Sequence, residues 1–543
     1  MKIASALILL IIHILVDGPS SSFASADALS LCGIIPSNDA RRTRPRGRPS
    51  LDINGIPPRG GWVGCNNNDS RRTAAGPTRT ANAASSSSSS ATDDDDDDVD
   101  DGRSTISSAA FNLIKGAVGS GVLSLPAGVA AYGDVRSALV PTTSILLLLG
   151  TISAYTFHLL GRLSAVAAME SSSDGHDGGG GGVTSIGQLW EREVGESTSW
   201  LIGLAVVITC FGTCLAYSIT LGDTFRALAL TAGASGIAAT RAFNVAVVSL
   251  LGVYPMCRLR SLRALAPASI CGVIGILVTC VVMSVRAMPG GAYSMTSGAA
   301  SNYLTSLPVE SRPSFGVTGT RGPFSLLVIS SMAATAFLVH MSSPDFYRTL
   351  RDPSPSRFAI LSAVGFAGTV GISVLMMCLG FLTFGGASRG MILNNYSTLD
   401  AGATLCRSLM GISLLGSYGF LSNALKNAYY QIYHAGRAIS DEVHYRTSRY
   451  LVVSVTILAL LMNDAGFVVS LNGAVLGSAL IYVIPSFLFL KSTNRRLGDG
   501  SLKSTAALRI ERWWNRGLMG LGAFLALAGA VMSVVNSFFP HLL

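Results

Sequence analysis

Charge is what this sequence has least of. Asp, Glu, Lys and Arg make up 13% of the 543 residues, where a soluble domain carries roughly a quarter. That leaves too little polar surface to cover a water-soluble globule. Histidine is scarce, with seven in the chain. There is no His-Glu-x-x-His, no serine nucleophile elbow and no phosphate-binding glycine loop opening a soluble helix, so the common enzyme constellations are missing. Cys210 and Cys214 share a helix face, but no His or further Cys accompanies them, so no metal site, cofactor or disulfide framework is expected. The formal net charge is +9, yet the basic residues form short clusters rather than a stripe that would suit nucleic acid. Clusters between apolar runs are what the ends of membrane spans carry.

Long apolar runs are what the chain has instead, with hydrophobic residues at 49% and a mean hydropathy of +0.48. The stretches 107–132, 136–161, 199–222, 241–256, 264–286, 323–343, 357–384, 403–433, 448–464, 467–490 and 514–538 read as spans. That predicts an all-α polytopic membrane protein of about eleven transmembrane helices, its domain covering 106–540, with the lipid bilayer as an obligatory partner. Lys and Arg between spans favour one set of loops by about two to one, which puts the N-terminal side in the cytoplasm. Trp513 and Trp514 then sit in the inner aromatic belt. Asn395-Tyr396-Ser397 is a glycosylation sequon in an expected outer loop.

The first 105 residues differ in kind. Residues 1–26 hold Lys2 and the apolar run Ala4–Val16, too short to span a bilayer and similar to a signal-peptide core, with a small-residue cleavage site at Ala24-Ser25-Ala26. Residues 27–105 are rich in Ser, Arg and Gly, and the tracts Ser85–Ser90 and Asp93–Asp98 read as disordered. A signal-like core followed by a transit-like segment suggests delivery to a plastid envelope through a bipartite presequence. An endomembrane, vacuolar or plasma membrane is the alternative address.

The chemistry concentrates in the first span, where Phe111–Pro126 reads FNLIKGAVGSGVLSLP. Gly116, Gly119, Ser120 and Gly121 place four small residues within two turns. They suit close helix packing, and equally a broken helix whose freed N–H groups receive a carboxylate at mid-membrane. Lys115 is an intramembrane cation, either structural or functional, and His340 is a group able to exchange protons near neutral pH.

Three stretches in order carry a resemblance. Phe111–Pro126, Ala336–Asp352 (AFLVHMSSPDFYRTLRD) and Asn463–Lys491 (NDAGFVVSLNGAVLGSALIYVIPSFLFLK) are similar to the first span, sixth span and tenth-span region of the amino acid/auxin permease family, over about residues 105–540. The resemblance implies a LeuT-like fold of two inverted five-helix repeats plus one helix, and amino acid transport. It implies a substrate carboxylate held by amides near Gly116, Gly119, Ser120 and Gly121, and an amino group held at a break around Ala336, Phe337 and His340. Lys115 stands where the sodium-coupled branch has an Asn ligand, and Lys-Gly here resembles the proton-assisted branch, so Lys115 and His340 are candidates for proton coupling. A sodium-independent exchanger, or a sensor of the same fold, would fit the same residues.

Overall fold

The computed structural model describes residues 104–173, 183–259, 266–293, 302–317, 319–433 and 439–540. The leader-like segment and almost all of the low-complexity region lie outside the described residues. Within them the chain forms eleven helical rods. α1 comprises α1a (Ile106–Ala117) and α1b (Ser120–Tyr132); α2 is Leu139–Ser173 and α3 is Ser199–Thr231. α4 starts as Arg241–Val248 and passes through a π turn, Ser249–Val253, into Tyr254–Arg258. α5 is Ala266–Ala287, and α6 comprises α6a (Leu326–Ala336) and α6b (Ser343–Thr349). α7 is Pro355–Phe384, α8 Ala401–Tyr433 and α9 Asp441–Leu461. α10 runs from Ala465–Asn472 through two π turns to Ile484–Gly498, and α11 is Ala506–Phe538. A short helix, Ile186–Glu193, joins α2 to α3.

The rods start where the sequence supplies caps. Side chains of Thr105, Thr240, Ser354, Ser440 and Thr505 each accept a backbone N–H from the first turn that follows. Pro355 at the head of α7 forfeits an N–H that no helix would use there. By length and composition six rods can cross a membrane, or seven if the bent α1 pair is one span. The others are short or carry internal charge. In α8, Arg407 is 1% exposed, and its guanidinium donates to the carbonyls of Leu393, Tyr396 and Ser397. In the same rod the Lys426 ammonium donates to the Cys257 carbonyl at 2.5 Å and the Ser448 hydroxyl at 3.2 Å. Cations at such depth persist because backbone oxygens surround them.

Packing repeats with an offset of five rods. α1 lies on α7 as α6 lies on α2; α5 lies on α8 as α10 lies on α3; α4 lies on α8 as α9 lies on α3. Five crossings are an odd number, so the second set enters from the opposite face. The chain is therefore a five-plus-five inverted repeat with α11 laid against α6a and α10. α11 keeps much of its apolar surface outside, with Leu527 74% exposed and Val531 54%, as a lipid-facing rod must.

One expectation fails here. Asn395 of the sequon is fully buried; its amide donates to the Ala387 carbonyl at 2.7 Å and its oxygen accepts the Arg389 N–H at 2.9 Å. An amide tied at both ends inside the fold is no acceptor for a glycan.

Candidate functional site

Both halves of the repeat open with a broken rod, and the breaks meet. α1 bends by 53° between Ala117 and Ser120. Val118 and Gly119 are extended, with Gly119 at φ −134° and ψ −150°. α6a stops at Ala336, Phe337 to Val339 leave the helix, and a 3-10 turn over His340–Ser342 leads into α6b. A helix that restarts has first N–H groups with no preceding turn to bond, and one that stops leaves its last carbonyls outside the ladder. The amides of Ser120 and Gly121 are of the first kind and the Ala336 carbonyl is of the second.

Gly121 brings the two together. A Cβ there would lie 3.2 Å from both Cα and N of Ala336, tighter than ordinary packing, so a side chain would press the two backbones apart and glycine lets them meet. The N-terminal end of α1b, positive by its dipole, and the C-terminal end of α6a, negative by its dipole, thus share one point in the core. The π turns of α10 close a third side, where Gly473 lies against Ser331 and Thr335 and Gly477 against Ala334. Wide turns of this kind recur at functional sites.

Tyr217 of α3 is a residue that sequence reasoning missed. Its hydroxyl occupies the space that a Cβ on Gly119 would take, and the side chain is 6% exposed. One aromatic among the many of a membrane rod gives no local signal; only the packing of α3 across the break singles it out.

The expected site residues therefore divide. Gly119, Ser120, Gly121 and Ala336 converge. Gly116 sits at the edge, where a Cβ would meet nothing closer than Val339 at 4.0 Å. Phe337 turns its ring towards Gly150 of α2 and is fully buried, so it offers only backbone. Lys115 points to α8, its ammonium 5.0 Å from the centre of the Phe420 ring.

His340 also faces α2. Its Nε2 lies 3.0 Å from the Ser153 carbonyl and 3.0 Å from the Thr156 hydroxyl. The Thr156 hydroxyl donates its own proton to carbonyls of α2, so both neighbours accept and Nε2 carries the proton. Nδ1 makes no hydrogen bond that meets normal geometry, although the Phe337 backbone is close. Phe157 and Phe366 pack on the ring with centroids 5.7 and 5.9 Å away.

A polar cavity of about 500 Å³ lies towards the far end of α1b, lined by Ala127, Ala131, Asp223, Met332, Ser470 and Ser533 among others. None of the break residues lines it. α1b also packs closely on α6a at Gly128 against Ile329, as it does at Gly121 against Ala336.

The model of the family described as transmembrane amino acid transporter protein matches residues 102–537. The chain belongs to that family. Similar relatives of the transporter include the putative sodium-coupled neutral amino acid transporter 11 of Danio rerio, 23% identical over 441 residues, covering 80% of this chain and 86% of that one. Another is the sodium-coupled neutral amino acid transporter 7 of Rattus norvegicus, 24% identical over 468 residues, covering 82% and 90%. Solved structures similar to the transporter include the inward-facing conformation of Mhp1, 12% identical, TM-score 0.49, covering 80% of this chain and 90% of that one. The site thus belongs to a multi-pass membrane transporter of amino acids.

Proposed function

We propose that the protein is a secondary active transporter of neutral amino acids that holds its substrate at the junction of the two breaks. The observation that carries this reading is the close approach of Gly121, in the first turn of α1b, to Ala336, the last residue of α6a. A zwitterion matches the polarity of these two helix ends: its carboxylate faces the amides of Ser120 and Gly121, and its ammonium faces the carbonyls that end α6a. Tyr217 adds a hydroxyl on the carboxylate side. The neutral class rests on the names of the relatives and on the backbone itself, which reads the two charges shared by all such substrates. Binding of a labelled neutral amino acid to the purified protein, abolished in Gly121→Ala and weakened in Tyr217→Phe, tests the assignment.

Proton coupling is the driving force we propose. A tethered ammonium at Lys115 supplies no lone pair to a cation and repels one at the α1a–α8 junction. His340 keeps an Nδ1 that makes no hydrogen bond of normal geometry among the described residues, beside the Phe337 backbone. A second reading, sodium coupling, is favoured by the names of the relatives. It requires oxygen ligands away from Lys115. Uptake with choline in place of sodium separates the two.

A further inference from the structure

The groove where α10 ends and α11 begins differs from the rest of the outer wall. Phe487, Leu490, Lys491 and Asn494 follow one face of α10 at i, i+3, i+4 and i+7; Arg512, Arg516 and Met519 follow one face of α11 at i, i+4 and i+7. Between these stripes is a groove of about 320 Å³ lined by Phe487, Leu490, Lys491, Asn494, Arg516 and Met519. Its floor is apolar and its rim basic.

The rim charges are not spent on the protein. Among the described residues neither Lys491 nor Arg516 makes an ion pair or a hydrogen bond. Acids of this face are committed elsewhere: Glu511 to Arg162, and Glu170 and Glu193 to Arg495. Arg512 holds the Asn494 oxygen at 2.6 Å and so ties the two stripes together. Trp513 and Trp514, next in sequence to Arg512 on α11, are 73% and 53% exposed. Exposed indoles of that kind mark the level where hydrocarbon gives way to headgroups.

We propose that this groove is a binding site for one anionic phospholipid, its phosphate held by Lys491 and Arg516 and its acyl chain laid on Phe487, Leu490 and Met519. Two unpaired cations at headgroup depth attract a phosphodiester, and each adds to retention on an anionic bilayer. The apolar floor selects a lipid over a free anion, because phosphate alone leaves that floor uncovered. The site joins the last rod of the second repeat to α11, so an occupied groove adds to the Arg512–Asn494 tie between them.

The experiment is native mass spectrometry of the full chain released from micelles doped with phosphatidylglycerol or phosphatidylcholine. Wild type keeps one phosphatidylglycerol and sheds phosphatidylcholine. Occupancy falls about tenfold or more in K491A/R516A and survives in the charge-preserving K491R/R516K. Both side chains are exposed, so folded yield and Tm match wild type. Excess inorganic phosphate leaves the lipid in place. Equal retention of both lipids, retention undiminished in K491A/R516A, or displacement by inorganic phosphate would each overturn the proposal.

Discussion

The Tyr217 hydroxyl stands where a methyl group on Gly119 would stand. Gly119 has an ordinary extended backbone, so glycine is required there for room and not for conformation. Gly119→Ala should abolish uptake while the protein still folds. Gly119→Ala/Tyr217→Phe should recover part of it, because the obstructing oxygen is gone. Tyr217→Phe alone should raise the substrate Kd by about tenfold, the scale of one lost hydrogen bond to a charged group. A double variant no better than Gly119→Ala would mean that the two residues do not couple.

Gly121 and Gly116 should behave oppositely although they lie in one motif. At Gly121 the neighbour is Ala336 backbone, which cannot swing away, so Gly121→Ala should lose binding and lower Tm by several degrees. At Gly116 the space is open, and alanine favours helix over glycine by about 1 kcal/mol. Gly116→Ala should therefore keep its activity and gain slightly in Tm. Thermal unfolding beside uptake reads both effects.

His340 links the α6 break to α2 through its Nε2 proton. His340→Ala should remove that link, leave the Ser153 carbonyl with only the longer bond from the Thr156 hydroxyl outside the helix ladder, and flatten the rise of uptake on external acidification. A lower Tm with an unaltered pH profile would assign the residue to structure alone.

The sequon should carry no sugar. Asn395→Gln should leave mobility on denaturing gels unchanged with or without glycosidase. It should still destabilise by about 1–3 kcal/mol, since the longer amide cannot meet both Ala387 and Arg389. A band shift on glycosidase treatment would place Asn395 outside the fold.

Much of this was legible in the residues and some was not. The apolar runs mark eleven rods, although by length and composition only six or seven of them are long and apolar enough to cross a membrane, and Gly116, Gly119 and Gly121 mark the α1 break because glycine weakens a helix wherever it falls. Rod ends were less legible. α2 continues to Ser173, well past 161, with Leu163, Ala165 and Ala167 packed into the core, because a membrane-length pattern sets no limit on a helix that continues beyond it. The cluster at 116–121 could not separate packing from substrate binding, since both need small residues; the approach of Ala336 links the two. The Tyr217–Gly119 approach and the anchorage of His340 on Ser153 join separate rods far apart in the chain, and no local pattern encodes them; Asn395 is tied to nearby Ala387 and Arg389, and its burial comes from how that loop folds.

Proton coupling is tested most directly by uptake of labelled neutral amino acid by the purified protein in liposomes, with choline replacing sodium and a pH step imposed. Uptake should persist without sodium, rise as the outside is acidified and collapse with a protonophore. Uptake that needs sodium and ignores the pH step would rule out proton coupling and leave Lys115 as a structural cation beside Phe420.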